Sequence, residues 1–110
     1  MSSNKYIKGF LEDIVLQMIN ESGKMYGYQI TQKVKEKTNG EISFTEGALY
    51  PVLHRLESKA LLKASYIKVD GRVRKYYQLT ENGGEVVVNN SGDLRSFLSN
   101  LQLVFNPKPI

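Results

Sequence analysis

The sequence predicts a mainly α fold with a small β-hairpin (α+β), and three observations lead there. Apolar residues recur at helical spacing in separate stretches along the chain. Ser22-Gly23 and Asn39-Gly40 punctuate those stretches as helix stops. Two strand-like runs meet at Asp70-Gly71, the strongest short-range hairpin signal.

The first helix is expected over about residues 6–21, where Ile7, Phe10, Leu11, Ile14, Val15, Met18 and Ile19 repeat with helical period. Gly23 ends it, since glycine enters the left-handed conformation without a Cβ penalty. The apolar surface is wide for an exposed helix. It suits a buried core helix or a helix with one side facing a second subunit. A second helix is expected over residues 27–38, with Ile30 and Val34 inward. Glu41-Ile42-Ser43-Phe44 alternates polar and apolar, as a short strand or an extended linker would.

The third helix is central. Leu49, Val52, Leu53 and Leu56 fall at i, i+3, i+4 and i+7, a single apolar stripe. Glu46, Tyr50, His54, Arg55 and Lys59 occupy the opposite face. Thr45 is the expected N-cap and Glu46 suits the positive end of the helix. Pro51 lacks the N–H that would bond the Gly47 carbonyl, so an irregular or bent helix is expected near residues 47–50. The helix should end near Lys59-Ala60.

With Asp70-Gly71 as a two-residue loop, Val69 should face Arg72, Ile67 face Arg74, Ser65 face Tyr76 and Ala64 face Tyr77. Tyr77 and Leu79 at the base should pack on the helices, while a basic tip projects. Thr80 then caps a last helical region with Glu81 and Glu85 near its start. Val86-Val87-Val88 and Asn89-Asn90-Ser91-Gly92 are poor helix formers, so this region is expected to be internally weak. Beyond it, Leu94, Phe97, Leu98, Leu101, Val104 and Phe105 form a stripe with no obvious partner in the same chain. A twofold homodimer seam answers that need. Residues 106–110 should fray.

Charge is segregated. Between His54 and Leu79 stand seven Lys/Arg against two acids, a local +5, whereas the whole chain carries only +4. An amphipathic helix followed by a basic hairpin is how a winged helix-turn-helix meets double-stranded DNA, the helix in the major groove and the wing on backbone or minor groove. On that reading, residues 1–80 form the DNA-binding domain and residues 81–110 a dimerisation helix and tail.

The motifs add a resemblance. Tyr26-Gly27-Tyr28-Gln29-Ile30, Gly47-Ala48-Leu49-Tyr50-Pro51 through Arg55-Leu56-Glu57, and Arg74-Lys75-Tyr76-Tyr77-Gln78-Leu79-Thr80-Glu81-Asn82-Gly83 follow in order and spacing. With them the chain resembles a short PadR-family transcriptional regulator over roughly residues 8–105. The family pattern commonly has glycine where this chain has Ala60. The resemblance implies a dimeric repressor released by a small-molecule effector. It implies base or backbone contacts from Thr45, Glu46, Tyr50 and His54, phosphate contacts from Arg55 and Lys59, and wing contacts from Arg72, Arg74 and Lys75. Tyr77 is assigned to the core, and Tyr26 and Tyr28 to packing. Some short members bind flat aromatic compounds between their terminal helices, which makes Leu94 and Phe97 the candidate liners for a small aromatic effector.

Two other classes compete with this reading. One histidine and no cysteine leave no histidine-bearing metal cluster and no Cys–His pair, and no glycine-rich phosphate loop is present. No enzyme and no cofactor are expected. A winged helix used only for protein–protein assembly would reuse the basic patch on an acidic partner. The absence of a signal-peptide core and of any ~20-residue apolar run makes the cytoplasm the expected location, with no membrane partner.

Overall fold

The computed structural model describes residues 4–106. The chain runs α1 (Asn4–Ile7), a 3-10 turn (Lys8–Phe10), α2 (Leu11–Ser22), α3 (Gly27–Lys37), α4 (Glu46–Ser58), β1 (Leu62–Val69), β2 (Arg72–Leu79) and α5 (Glu81–Phe105). This is the expected α+β winged helix-turn-helix arrangement. The core joins α2, α3, α4 and the hairpin base. Val15, Ile19, Ile30, Leu49, Leu53, Leu56 and Leu62 are all but sealed from solvent.

The first helix departs from expectation. It is divided at Lys8–Phe10, where Phe10 takes φ −113° and ψ 0°. Gly9 is a weak helix former, and the tighter three-residue turn still leaves both Ile7 and Leu11 buried. Leu11, Val15, Leu16, Met18 and Ile19 are consumed by this chain's own core, so α2 is a core helix. Gly23 stops it at φ +86°. Residues 41–44 form an extended linker without strand pairing.

α4 is one unbroken helix despite Pro51. The carbonyl that proline leaves unbonded belongs to Gly47, which is exposed, so water can take the place of the missing N–H. Thr45 caps it as expected, its Oγ1 accepting from the Ala48 N–H at 3.1 Å. At the other end, Leu61 N–H donates to Leu56 O and Ala60 N–H to Glu57 O, both at 3.0 Å. That pair of bonds is a Schellman closure, and it places Ala60 at φ +60°, the position that favours glycine.

The hairpin register matches the expectation pair for pair, from Val69↔Arg72 to Ala64↔Tyr77. Asp70 at φ +50° and Gly71 at φ +78° make the tight turn whose twist suits two strands. Met25, just before α3, adds a short antiparallel bridge to Tyr77, with bonds of 2.8 and 3.0 Å. This bridge clamps the hairpin base to the α2–α3 junction.

α5 is continuous across Asn89–Gly92, the run of poor helix formers whose continuity the sequence leaves open. Thr80 Oγ1 accepts from Gly83 N–H at 3.0 Å and donates to Ala60 O at 2.6 Å, so one residue caps α5 and ties it to the end of α4. Val86 and Val87 then pack on the core, and Leu94 is half-buried beyond the weak run. Contacts on both sides carry the helix through. Residues 107–110 of the tail expected to fray lie outside the described residues. Asn106 closes the helix by donating to Gln102 O.

Candidate nucleic-acid interface

The helical period turns Leu49, Val52, Leu53 and Leu56 into the core, none more than 6% exposed. The same period turns Glu46, Tyr50, His54, Arg55 and Lys59 outward, all exposed. Gly47, Tyr50, Pro51, His54, Arg55 and Ser58 share one shallow outer surface on α4. His54 has no side-chain partner among the described residues, so its imidazole is available to a ligand.

Tyr50 is less free than its exposure suggests. Its hydroxyl donates to Glu46 Oε1 at 3.2 Å. The ring also lies across Gly27 at the start of α3, where a Cβ would stand 3.0 Å from the Tyr50 hydroxyl. Partial burial, reinforced by the Glu46 carboxylate, pushes the Tyr50 phenol above its usual value, so it stays a neutral donor. Gly27 thus earns its place in the Tyr-Gly-Tyr motif by admitting the Tyr50 ring.

The basic cluster divides into engaged and open members. Arg55 Nε donates to Glu12 Oε2 at 2.6 Å, and Lys59 Nζ to Glu12 Oε1 at 3.3 Å. Lys75 Nζ reaches Glu57 Oε1 at 3.2 Å and lies 5.2 Å from the Tyr77 ring centre. The hydrogen bond to Glu57 holds the Lys75 ammonium above its usual pKa. The Arg74 guanidinium stacks 4.5 Å over Tyr26, which meets Tyr76 edge-on at 5.2 Å. Lys63, Lys68 and Arg72 are exposed, with no ion pair or ring contact among the described residues.

The wing therefore has a braced base and an open tip. Arg74 and Lys75 brace its two faces, while Arg72 and Lys68 remain open near the turn. Lys68, one of the seven basic residues between His54 and Leu79, stands two residues before Asp70 beside Arg72 at that tip. Tyr77 is buried as assigned, and Tyr26 packs as assigned. Tyr28 is 52% exposed and does not.

The two candidate effector liners stand one turn apart on α5, in different surroundings. Leu94 lines a cleft of about 550 Å³ between α2 and α5, with Leu16, Val87 and Leu98. Phe97 is absent from that lining and instead faces Phe10, ring centres 6.4 Å apart. Among the described residues, no helix is long and apolar enough to cross a membrane.

Comparison with known proteins agrees with this geometry. A sequence model described as "Transcriptional regulator PadR-like family" matches residues 15–88. Uncharacterized protein X of Lysinibacillus sphaericus is 40% identical over 84 residues, 76% of either chain. Transcriptional regulator Rv3488 of Mycobacterium tuberculosis is 38% identical over 60 residues, 54% of this chain and 53% of that one. This chain's match thus spans about half of that regulator's length. Among solved structures, a PadR family transcription regulator from Clostridium difficile superposes with TM-score 0.75 at 28% identity, covering 88% of this chain and 99% of that one. A transcriptional regulator from Clostridium thermocellum shares the fold with TM-score 0.83 at 24% identity, covering 96% and 100%.

Proposed function

The chain belongs to the PadR-like family of transcriptional regulators, and on that premise we propose that it is a homodimeric repressor released from duplex DNA by a small-molecule effector. The observation that carries the DNA part is the outer face of α4, with Tyr50 and His54 one turn apart and the hairpin beside it. Side chains spaced by four on a groove-bound helix reach adjacent base pairs or their flanking backbone. In this reading Glu46, Tyr50 and His54 face base edges. The capped first turn, with Thr45, touches backbone. Arg55 and Lys59 take phosphates beside α4, and Arg72, Arg74 and Lys75, joined by Lys68, serve the wing.

Residues 1–80 act as the DNA-reading unit and residues 81–110 as the dimerisation segment. The exposed apolar half of α5 supports the dimer, and the cleft holding Leu94 is the place for an aromatic effector beside that seam. A ligand bound there releases DNA only by favouring an arrangement of the two α4 helices that mismatches the half-sites.

Footprinting on duplex fragments tests the assignment, followed by binding selection on randomised half-sites with Tyr50→Ala and His54→Ala. Each substitution should relax preference at one position per half-site, at a cost of about 1–3 kcal/mol. Uniform weakening without altered preference would move base reading to other residues. Binding that ignores salt and is not competed by duplex would overturn the DNA reading in favour of a protein partner.

A further inference from the structure

Glu12 spends both carboxylate oxygens on α4. One accepts from Arg55 at 2.6 Å and the other from Lys59 at 3.3 Å, across 43 and 47 residues of sequence. The bond from Arg55, aided by Lys59, holds the Glu12 carboxyl below the usual carboxylate range, so it is an anion at neutral pH. The three side chains keep 32%, 50% and 51% of their surface exposed, so this is no buried structural pair. Exposed ion pairs contribute little to folding. Their weight falls instead on whatever else competes for the same cations.

Arg55 shares the outer surface of α4 with Tyr50 and His54. A carboxylate and a phosphodiester offer a guanidinium the same paired oxygens. Resting on the reading of α4 as the DNA-reading helix, we propose that Glu12 stands in for a backbone phosphate. In the free protein it occupies Arg55 and Lys59, and duplex DNA must displace it to use them. Glu12 is therefore a positioning residue that also attenuates affinity. It keeps two flexible cations ordered at the groove edge and withholds part of their attraction.

The surroundings permit the exchange. Glu12 opens onto a cleft of about 380 Å³ where α2, α4 and α5 meet, lined also by Lys8, Asp13 and Asn90. A displaced carboxylate stays hydrated there. Phe10, two residues earlier, faces Phe97 of α5, so the turn that carries Glu12 also touches the proposed dimerisation helix.

Full-length wild type, Glu12→Gln and Glu21→Gln are compared by fluorescence anisotropy on a mixed-sequence duplex of about 30 base pairs, long enough for two half-sites one turn apart. Glu21 is the control because it also engages two cations, Lys33 and Lys37, but on α3. Its substitution removes the same charge and frees no α4 cation. Glu12→Gln should bind about 1.5-fold to fivefold more tightly per subunit, the range an exposed ion pair spans. The slope of log affinity against log salt should steepen by up to about one unit per subunit, since one carboxylate no longer takes up a cation when displaced. Adding Arg55→Ala and Lys59→Ala should erase both gains. Thermal melting reports separately on folding.

Glu12→Gln that matches Glu21→Gln, or that weakens binding at unchanged melting temperature, overturns the inference while wild-type binding upholds the DNA reading. A wild type that ignores duplex overturns both.

Discussion

On α4, Leu49, Val52, Leu53 and Leu56 are buried to 6% exposure or less, whereas on the last turns of α5 Phe97, Leu98, Leu101, Val104 and Phe105 keep 39% or more. Both are apolar stripes of helical spacing, and they end in opposite surroundings. α4 is covered by α2, α3 and the hairpin. α5 docks on the core through Val86 and Val87, touches the body again at Leu94, Phe97 and Leu98, and then runs past it with Leu101, Val104 and Phe105 uncovered. A stripe's fate depends on what lies opposite it. Covering a large apolar side chain is worth about 1.5–3 kcal/mol, and a twofold seam counts each residue twice. Several such residues offset the association cost of about 4–15 kcal/mol.

The largest effect should come from breaking the uncovered stripe. Leu98→Glu with Leu101→Glu, or truncation after Gly92, should turn a dimer into a monomer at micromolar concentration by sedimentation. Loss of a micromolar dimer corresponds to about 8 kcal/mol. An intact chain that sediments as a monomer would refute the seam.

Leu53→Ala tests the covered stripe. It should cost about 2–5 kcal/mol in denaturant unfolding and leave the subunit interaction intact. Equal effects of Leu53→Ala and Leu101→Ala on unfolding of the isolated subunit would erase the distinction between the two stripes.

The joint between the regions is tested by Gly83→Ala. A Cβ at Gly83 would collide with the Leu61 carbonyl oxygen and crowd Leu79. The first turn of α5 must then lift from the hairpin base, at a cost of about 1–3 kcal/mol by thermal unfolding. A substitution at the neighbouring Gly84, which has open space, should cost much less.

Ala60→Gly, one residue before Leu61, should act in the opposite direction and least. The left-handed conformation costs alanine about 1–2 kcal/mol, and glycine gives back part of that gain as unfolded-chain entropy. A net stabilisation of about 0.5 kcal/mol, seen as a small rise in melting temperature, is expected. A lower melting temperature would mean that the alanine methyl holds the α4–β1 corner.

Much of this is legible in the amino-acid order alone. Asp70-Gly71 dictates the register of the whole hairpin, because a two-residue loop leaves one pairing and a strand alternates with period two. Thr45 and Thr80 declare helix starts, and Gly23 a stop, through local hydrogen bonding or backbone freedom alone. The α4 stripe and its outward Tyr50 and His54 follow from a period of 3.6. These are short-range facts, settled within a turn or two of chain.

Other features were decided only when distant segments met. Propensity at Asn89–Gly92 argued for a weak helix, a disadvantage of a few tenths to about 1 kcal/mol per residue, and contacts on α2 to either side outweighed it. Gly9 weakens the first helix locally, but that Lys8–Phe10 tightens into a separate turn follows from the burial of Ile7 and Leu11 on either side of it. Most of all, helical and strand periods say which cations stand on α4 and the wing but not which are already paired. Glu12 takes Arg55 and Lys59, Glu57 takes Lys75 and Tyr26 takes Arg74, while Lys68 and Arg72 stay open. Those pairings bridge 18 to 48 residues of chain, and a charge finds a partner by distance in space, which only the folded arrangement of α2, α4 and the hairpin sets.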